Sequence, residues 1–208
     1  MRGSSAGRRA TSLLKLPCAR NKTSLIVSTA LLVFWQAGCA HTAGGSRSTP
    51  PAAPAAIGPP EGAKVAARFH AVGAQVYVCG AATPLPGAQP TYAWTLKLPD
   101  ATLYDASGAA VGTHGAGPSW TSKDGSSATG EKAAQADAPD ADGIPWLLVR
   151  TTATSGQGVF SKVTYVQRVN TKGGKPPATG CDAGAVGREN RADYSADYYF
   201  YELGAPAP

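Results

Sequence analysis

The feature that most constrains this chain is a two-residue alternation of apolar and polar side chains, repeatedly broken by turn residues. Tyr92, Trp94, Leu96 and Leu98 fall on one face of a strand, with Ala93, Thr95 and Lys97 opposite. Val159, Ser161, Val163, Tyr165, Gln167 and Val169 alternate in the same way with Phe160, Lys162, Thr164, Val166, Arg168 and Asn170. Successive side chains of a strand point to opposite faces, so a period of two predicts strands. Residues 75–79, 146–152 and 198–203 read as further strands. Gly- and Asp-containing turns at 105–108, 123–125, 155–158 and 172–174 separate them. Only residues 130–138 read as able to hold a helical turn or two. The pattern predicts an all-β chain: a single antiparallel sandwich or barrel domain with little helix.

Charge divides the chain unevenly. The formal net charge is +6, from 19 Lys and Arg against 13 Asp and Glu. Arg2, Arg8, Arg9, Lys15, Arg20 and Lys22 precede residue 23 with no acid among them, so residues 39–208 carry no net charge. An apolar run from Ser24 to Trp35 follows. Twelve residues span about 18 Å as a helix, short of a bilayer core of about 30 Å. A basic arm and a short apolar stretch fit a secretory signal peptide. Gln36-Ala37-Gly38-Cys39 then resembles a lipoprotein processing site, in which the Cys is acylated and becomes the new N-terminus. Gln36 departs from that pattern, and ordinary cleavage after Ala37 or Ala40 is the alternative. The organisation expected is a signal peptide over 1–38, a Pro/Ala/Gly-rich tether over 39–60, a β-rich domain over 61–203 and a tail over 204–208. The zero net charge beyond residue 38 argues against a nucleic-acid partner.

The cysteines sort by this division. Cys18 lies in the basic segment and Cys39 is the lipidation candidate, leaving Cys79 and Cys181 in the domain. In an oxidising compartment two such residues pair as a disulfide; two buried thiols are the alternative. Neither CxxC nor HExxH is present, and no metal or cofactor is expected.

Residues 112–125 hold the best candidates for chemistry. His114 lies among glycines, with Trp120 and Asp124 following, and with Tyr198 these form the candidate ligand-binding set. Such a His can shuttle a proton or donate to a ligand; equally, it can bond turn carbonyls while Trp120 packs in a core. His70, His114 and either Asp105 or Asp124 would be needed together for a metal. Arg168, Asn170, Lys172 and Lys175 lie on a Gly-containing run that suits either an anion or a solvated hairpin end. Tyr194, Tyr198, Tyr199 and Tyr201 with Trp94, Trp120 and Trp146 suit sugar stacking if exposed and a core if buried. No GxSxG elbow is present.

Several segments together resemble a family of uncharacterised secreted proteins of bacteria and fungi, the domain of unknown function 3455. They include Gln75-Val-Tyr-Val-Cys79, residues 111–120 (Val-Gly-Thr-His-Gly-Ala-Gly-Pro-Ser-Trp), residues 163–174 (Val-Thr-Tyr-Val-Gln-Arg-Val-Asn-Thr-Lys-Gly-Gly) and residues 194–201 (Tyr-Ser-Ala-Asp-Tyr-Tyr-Phe-Tyr). The likeness covers most of residues 61–201. It implies an exported β-rich domain and supplies no activity and no catalytic residue. Some fungal relatives bear a dehydrogenase label, but this chain has neither a GxGxxG after a strand nor a βαβ pattern. Three functions are compatible with these features. The first is an envelope-anchored domain that binds a cell-wall polymer, a small ligand or an envelope protein, held to the membrane by its lipid. The second is a secreted enzyme, of a hydrolytic kind, that uses His114 with an acidic partner. The third is a structural envelope protein.

Overall fold

Strand β1 (Ala63–Ala82) is 20 residues long and pairs on both flanks, with β2 (Thr91–Tyr104) on one side and β8 (Glu189–Leu203) on the other. That double pairing closes the sheet in the computed structural model, which describes residues 49–82 and 89–204. Between them run β3 (Ala110–Gly115), β4 (Ser119–Ser122), β5 (Ser127–Ala136), β6 (Trp146–Ser155) and β7 (Tyr165–Gly173). Every strand pairs antiparallel with its sequence neighbours, giving an eight-stranded up-and-down barrel. Of the two expected architectures the barrel is the one formed. The expected signal peptide, Cys39 and the tether as far as residue 48 lie outside the described residues.

The barrel interior is filled by aromatic rings. Phe160 and Phe200 stand with centroids 4.6 Å apart, Phe69 packs edge-on to Phe160, and Trp120 packs edge-on to Phe200 and Tyr198. Phe69, Tyr198 and Phe200 reach this core by strand alternation. Phe160 does not, because residues 159–162 form a turn that tucks it beneath the barrel end. The alternation read across 159–170 therefore holds only from Tyr165 onward. On β7, moreover, both faces are buried: Val166 joins the interior cluster, and Val169 joins a second cluster on the outer wall.

That outer cluster explains why residues 53–60, read as the end of a flexible tether, lie on the barrel. Ile57 is fully buried against Trp146, Leu148, Tyr199 and Tyr201. Its carbonyl accepts from Gln167 Nε2 at 2.8 Å, while Tyr201 donates its hydroxyl to Gln167 Oε1 at 2.9 Å. A Pro/Ala-rich segment has few donors to satisfy, so it can cover an apolar wall without burying unpaired N–H groups.

Two other local readings are corrected. Residues 130–138 hold no helical turn; most of that stretch belongs to β5, which pairs with β6 from Ser127↔Ser155 to Ala136↔Trp146. The Ala-rich stretch has helix propensity, but the ladder offered by β6 overrides it. On β2 the single apolar face of Tyr92 to Leu98 does not persist. The register slips between Val76↔Leu98 and Tyr77↔Leu96, leaving Lys97 unpaired. A one-residue bulge exchanges odd for even positions beyond it, so Ala101 and Leu103, rather than Leu98, continue the face of Tyr92, Trp94 and Leu96, with Ala101 and Leu103 buried and Leu96 exposed.

Candidate functional site

Of the four candidate ligand-binding residues, the barrel brings three together. His114 on β3 pairs across the ladder with Trp120 on β4, and their rings stack 4.8 Å apart and nearly parallel. Tyr198 of β8 lies 5.0 Å from the imidazole. All three are buried. His114 Nδ1 donates to the Ser119 carbonyl at 2.8 Å, which leaves Nε2 as the acceptor nitrogen. Burial pushes the imidazole pKa down to about 4; the Ser119 carbonyl opposes this and the Arg168 charge adds to it. At neutral pH His114 is an uncharged core residue, and no carboxylate touches it among the described residues.

Asp124 is not part of this group. It sits in the turn between β4 and β5, where Oδ1 accepts from Ser126 N and Ser126 Oγ, and Oδ2 accepts from Val159 N at 2.8 Å. These bonds hold its carboxyl well below the usual carboxylate range, the Ser126 hydroxyl contributing most. They also lock the turn onto the Phe160 loop. Gly158 is required there, since a Cβ would stand 2.4 Å from the Asp124 carboxyl carbon. The metal set weighed above does not form either. His70 is on the outer wall, His114 is inside, and Asp105 caps its own turn through Ser107 and Ala109. Among the described residues no group of three or more His, Cys, Asp or Glu side chains converges.

Cys79 and Cys181 are joined, with their Cα atoms 5.4 Å apart. The bridge ties the far end of β1 to the segment before β8. Nearby, Trp94 donates its indole N–H to Thr179 O at 3.0 Å.

The outer wall carries a group that the sequence pattern did not single out. Asp197 on β8 faces outward between β1 and β7. Its Oδ1 accepts from Arg68 Nη2 at 2.9 Å and meets His70 Nδ1 at 3.0 Å; its Oδ2 accepts from Asn170 Nδ2 at 2.9 Å. Burial alone would raise the Asp197 pKa. The donors from Asn170, His70 and Arg68 outweigh it and hold the carboxylate below its ordinary value. Arg68 lies over the Tyr199 ring, 6.0 Å from its centroid, and its own pKa is raised, chiefly by Asp197. Asn170 adopts φ +52°, the only left-handed non-glycine among the described residues. Beside it opens a hollow of about 310 Å³ lined by Pro139, Asp140, Trp146, Asn170, Thr171 and Lys172. His70 and Asp197 are 127 residues apart in sequence, and only the β1–β8 register places them opposite each other.

None of the curated proteins matches this chain, and neither does any solved structure. A family model described as "Protein of unknown function (DUF3455)" matches residues 59–202, a span that begins just before β1 and ends within β8. The match covers well over half of the sequence and takes in the barrel up to the last residue but one of β8, and the chain belongs to that family.

Proposed function

We propose that this chain is an exported envelope protein, held to a membrane by a lipid on Cys39, whose barrel binds a ligand on its outer wall. The basic and apolar N-terminal segments support export, and the Cys79–Cys181 bridge suits an oxidising compartment. The observation that carries the binding reading is the hollow beside Asn170 and Asp197. Its lining is apolar at buried Trp146 and exposed Pro139, and polar at Asp140, Asn170, Thr171 and Lys172. A shallow amphipathic hollow of this kind suits a sugar ring, which has an apolar face and a polar edge, so a cell-wall polymer is the favoured ligand class. The enzyme reading built on His114 has lost its acidic partner, since Asp124 is spent on Ser126 and Val159.

Two measurements test this reading. Intact-mass analysis of the exported protein is expected to show an acylated Cys39 as first residue and the mass of one disulfide. An unmodified N-terminus elsewhere would overturn the anchor. Co-sedimentation with purified insoluble cell-wall polymer is expected for the wild type and lost in Pro139→Ser/Lys172→Glu, whose changes lie on the exposed rim. Equal sedimentation of both proteins would remove the hollow from consideration. A structural role is the second reading, favoured by a barrel with no free sheet edge and a covalent bridge.

A further inference from the structure

The strap over residues 53–60 adjoins the hollow on the outer wall. Trp146 belongs to both, since it packs in the cluster around Ile57 and also lines the hollow. The same boundary recurs at two other places in the chain. Ala138 packs against the Ile57 cluster, and the next residue, Pro139, lines the hollow. Val169 lies in the cluster, and the next residue, Asn170, lines the hollow. Strap and hollow therefore lie side by side on one wall.

The strap is held at few points. Ile57 is its one buried residue, and the others from Ala53 to Pro60 are exposed or half-buried. It joins no strand ladder: Ile57 N donates to Pro54 O and Gly58 N to Ala55 O, both within its own turn. The barrel reaches its backbone through Gln167 Nε2 on Ile57 O at 2.8 Å, and through the Tyr199 hydroxyl on Thr49 O at 3.5 Å, the limit of a hydrogen bond. The matched family span begins only at residue 59, so Ile57 and its turn lie outside it. A segment with few buried contacts and no ladder opens at low free energy while the rest of the fold stays intact.

The docked arrangement also leaves a cost in place. Trp146 is 6% exposed, and its Nε1 is buried with no acceptor. A buried donor without a partner destabilises the arrangement that buries it. In the same cluster as Ile57 and Trp146 lie Leu148, Tyr199 and Tyr201. Uncovered, they would extend the hollow as an aromatic surface suited to the apolar faces of further sugar rings.

We propose that residues 53–60 are a lid on the ligand site. Closed, the lid confines the site to the hollow. Lifted, it joins the hollow to the Trp146, Tyr199 and Tyr201 surface as one groove for consecutive rings of a glycan chain, whose oxygens supply the acceptor that Trp146 Nε1 lacks. This rests on the hollow being the polymer site, and it adds the length of that site and the segment that controls access to it.

The test is a depletion isotherm of the full chain on purified insoluble cell-wall polymer. Four proteins are compared: wild type, Ile57→Ser, Ala55→Pro, and Ile57→Ser combined with Pro139→Ser/Lys172→Glu. Ile57→Ser removes the buried anchor of the strap. Ala55→Pro stiffens the docked turn, because Ala55 is its exposed first residue and Pro54, at ψ 139°, already has the conformation that precedes a proline. An open form populated at about 10% or less raises the apparent Kd by the inverse of that fraction, so Ile57→Ser is expected to bind about tenfold tighter or more. Ala55→Pro is expected to bind more weakly than wild type, and the combined variant not at all. Hydrogen exchange without polymer is expected to show the Ile57 and Gly58 amides exchanging at least about tenfold faster than those of Val149 and Phe200, through opening of the strap alone. Binding by wild type with equal or weaker binding by Ile57→Ser would overturn the lid and leave the hollow standing. Tight binding by the combined variant would overturn the joined groove, since the uncovered wall would then act without the hollow. Strap amides as protected as the barrel would overturn the lid whatever the isotherms show. Sedimentation of none of the four proteins would overturn both the lid and the polymer reading.

Discussion

His114 offers a sharp test of the interior. Burial lowers its pKa to about 4 from the ordinary 6.5, so the folded state refuses a proton that the unfolded chain accepts throughout that interval. Stability rises with pH wherever the unfolded state binds more protons. The contribution is therefore complete above about pH 6.5, falls as pH drops towards 4, and stops changing below that. At 1.36 kcal/mol per unit, the interval corresponds to a loss of about 3 kcal/mol, with a slope approaching one proton near pH 5. The carboxylates act lower. Asp197, with its pKa depressed below 3.8, contributes stability that is present above that value and lost as pH falls through its folded pKa. Guanidinium chloride unfolding at pH 7, 6, 5 and 4 measures the loss. His114→Gln keeps an amide donor for the Ser119 carbonyl but removes the titration, so the wild type should lose about 3 kcal/mol more than the variant between pH 7 and pH 4. Subtracting the two curves cancels every other titrating group. Parallel curves, or an NMR titration placing His114 near 6.5, would refute the reasoning.

Two further outcomes follow from the geometry. The Cys79–Cys181 bridge spans 102 positions, and in the chain-entropy account a loop of about that length is worth about 4.7 kcal/mol; Cys79→Ser/Cys181→Ser should lower the denaturant midpoint accordingly, and an unchanged midpoint contradicts this. At Asn170, with φ +52° and a bond to Asp197, Ala and Gly replacements both remove the side-chain contact, so their difference isolates the backbone. The Gly variant should be the more stable by about 1 kcal/mol in chemical denaturation, and an Ala variant of equal stability would show that the left-handed conformation costs nothing here.

The fates of particular residues show why some of this was legible beforehand. Asp105 and Asp124 were readable as turn residues because their bonding partners lie within five positions, apart from the Val159 N–H. His114 and Trp120 were readable as neighbours for a similar reason, being joined by a tight hairpin, but alternation alone does not say which face of a strand is inside. Phe160 and Ile57 escaped because each is buried without being in a strand. The His70–Asp197–Asn170 group escaped because it depends on the registers of β1 with β8 and β8 with β7, which join His70 and Asn170 to Asp197 across 127 and 27 positions.

The sequence alone determined what depends on neighbours along the chain: strand periodicity, turn chemistry, the basic arm with its apolar run, and the count of two cysteines left in the domain. The tertiary structure decided closure of the sheet into a barrel, the bulge at Lys97 that shifts the alternation of β2, the burial of His114, and the gathering of the Asp197 group on the outer wall. The physical reason is that side-chain direction has a period of two and register is set by distant partners. A slip of one residue leaves the local pattern intact and exchanges inside for outside.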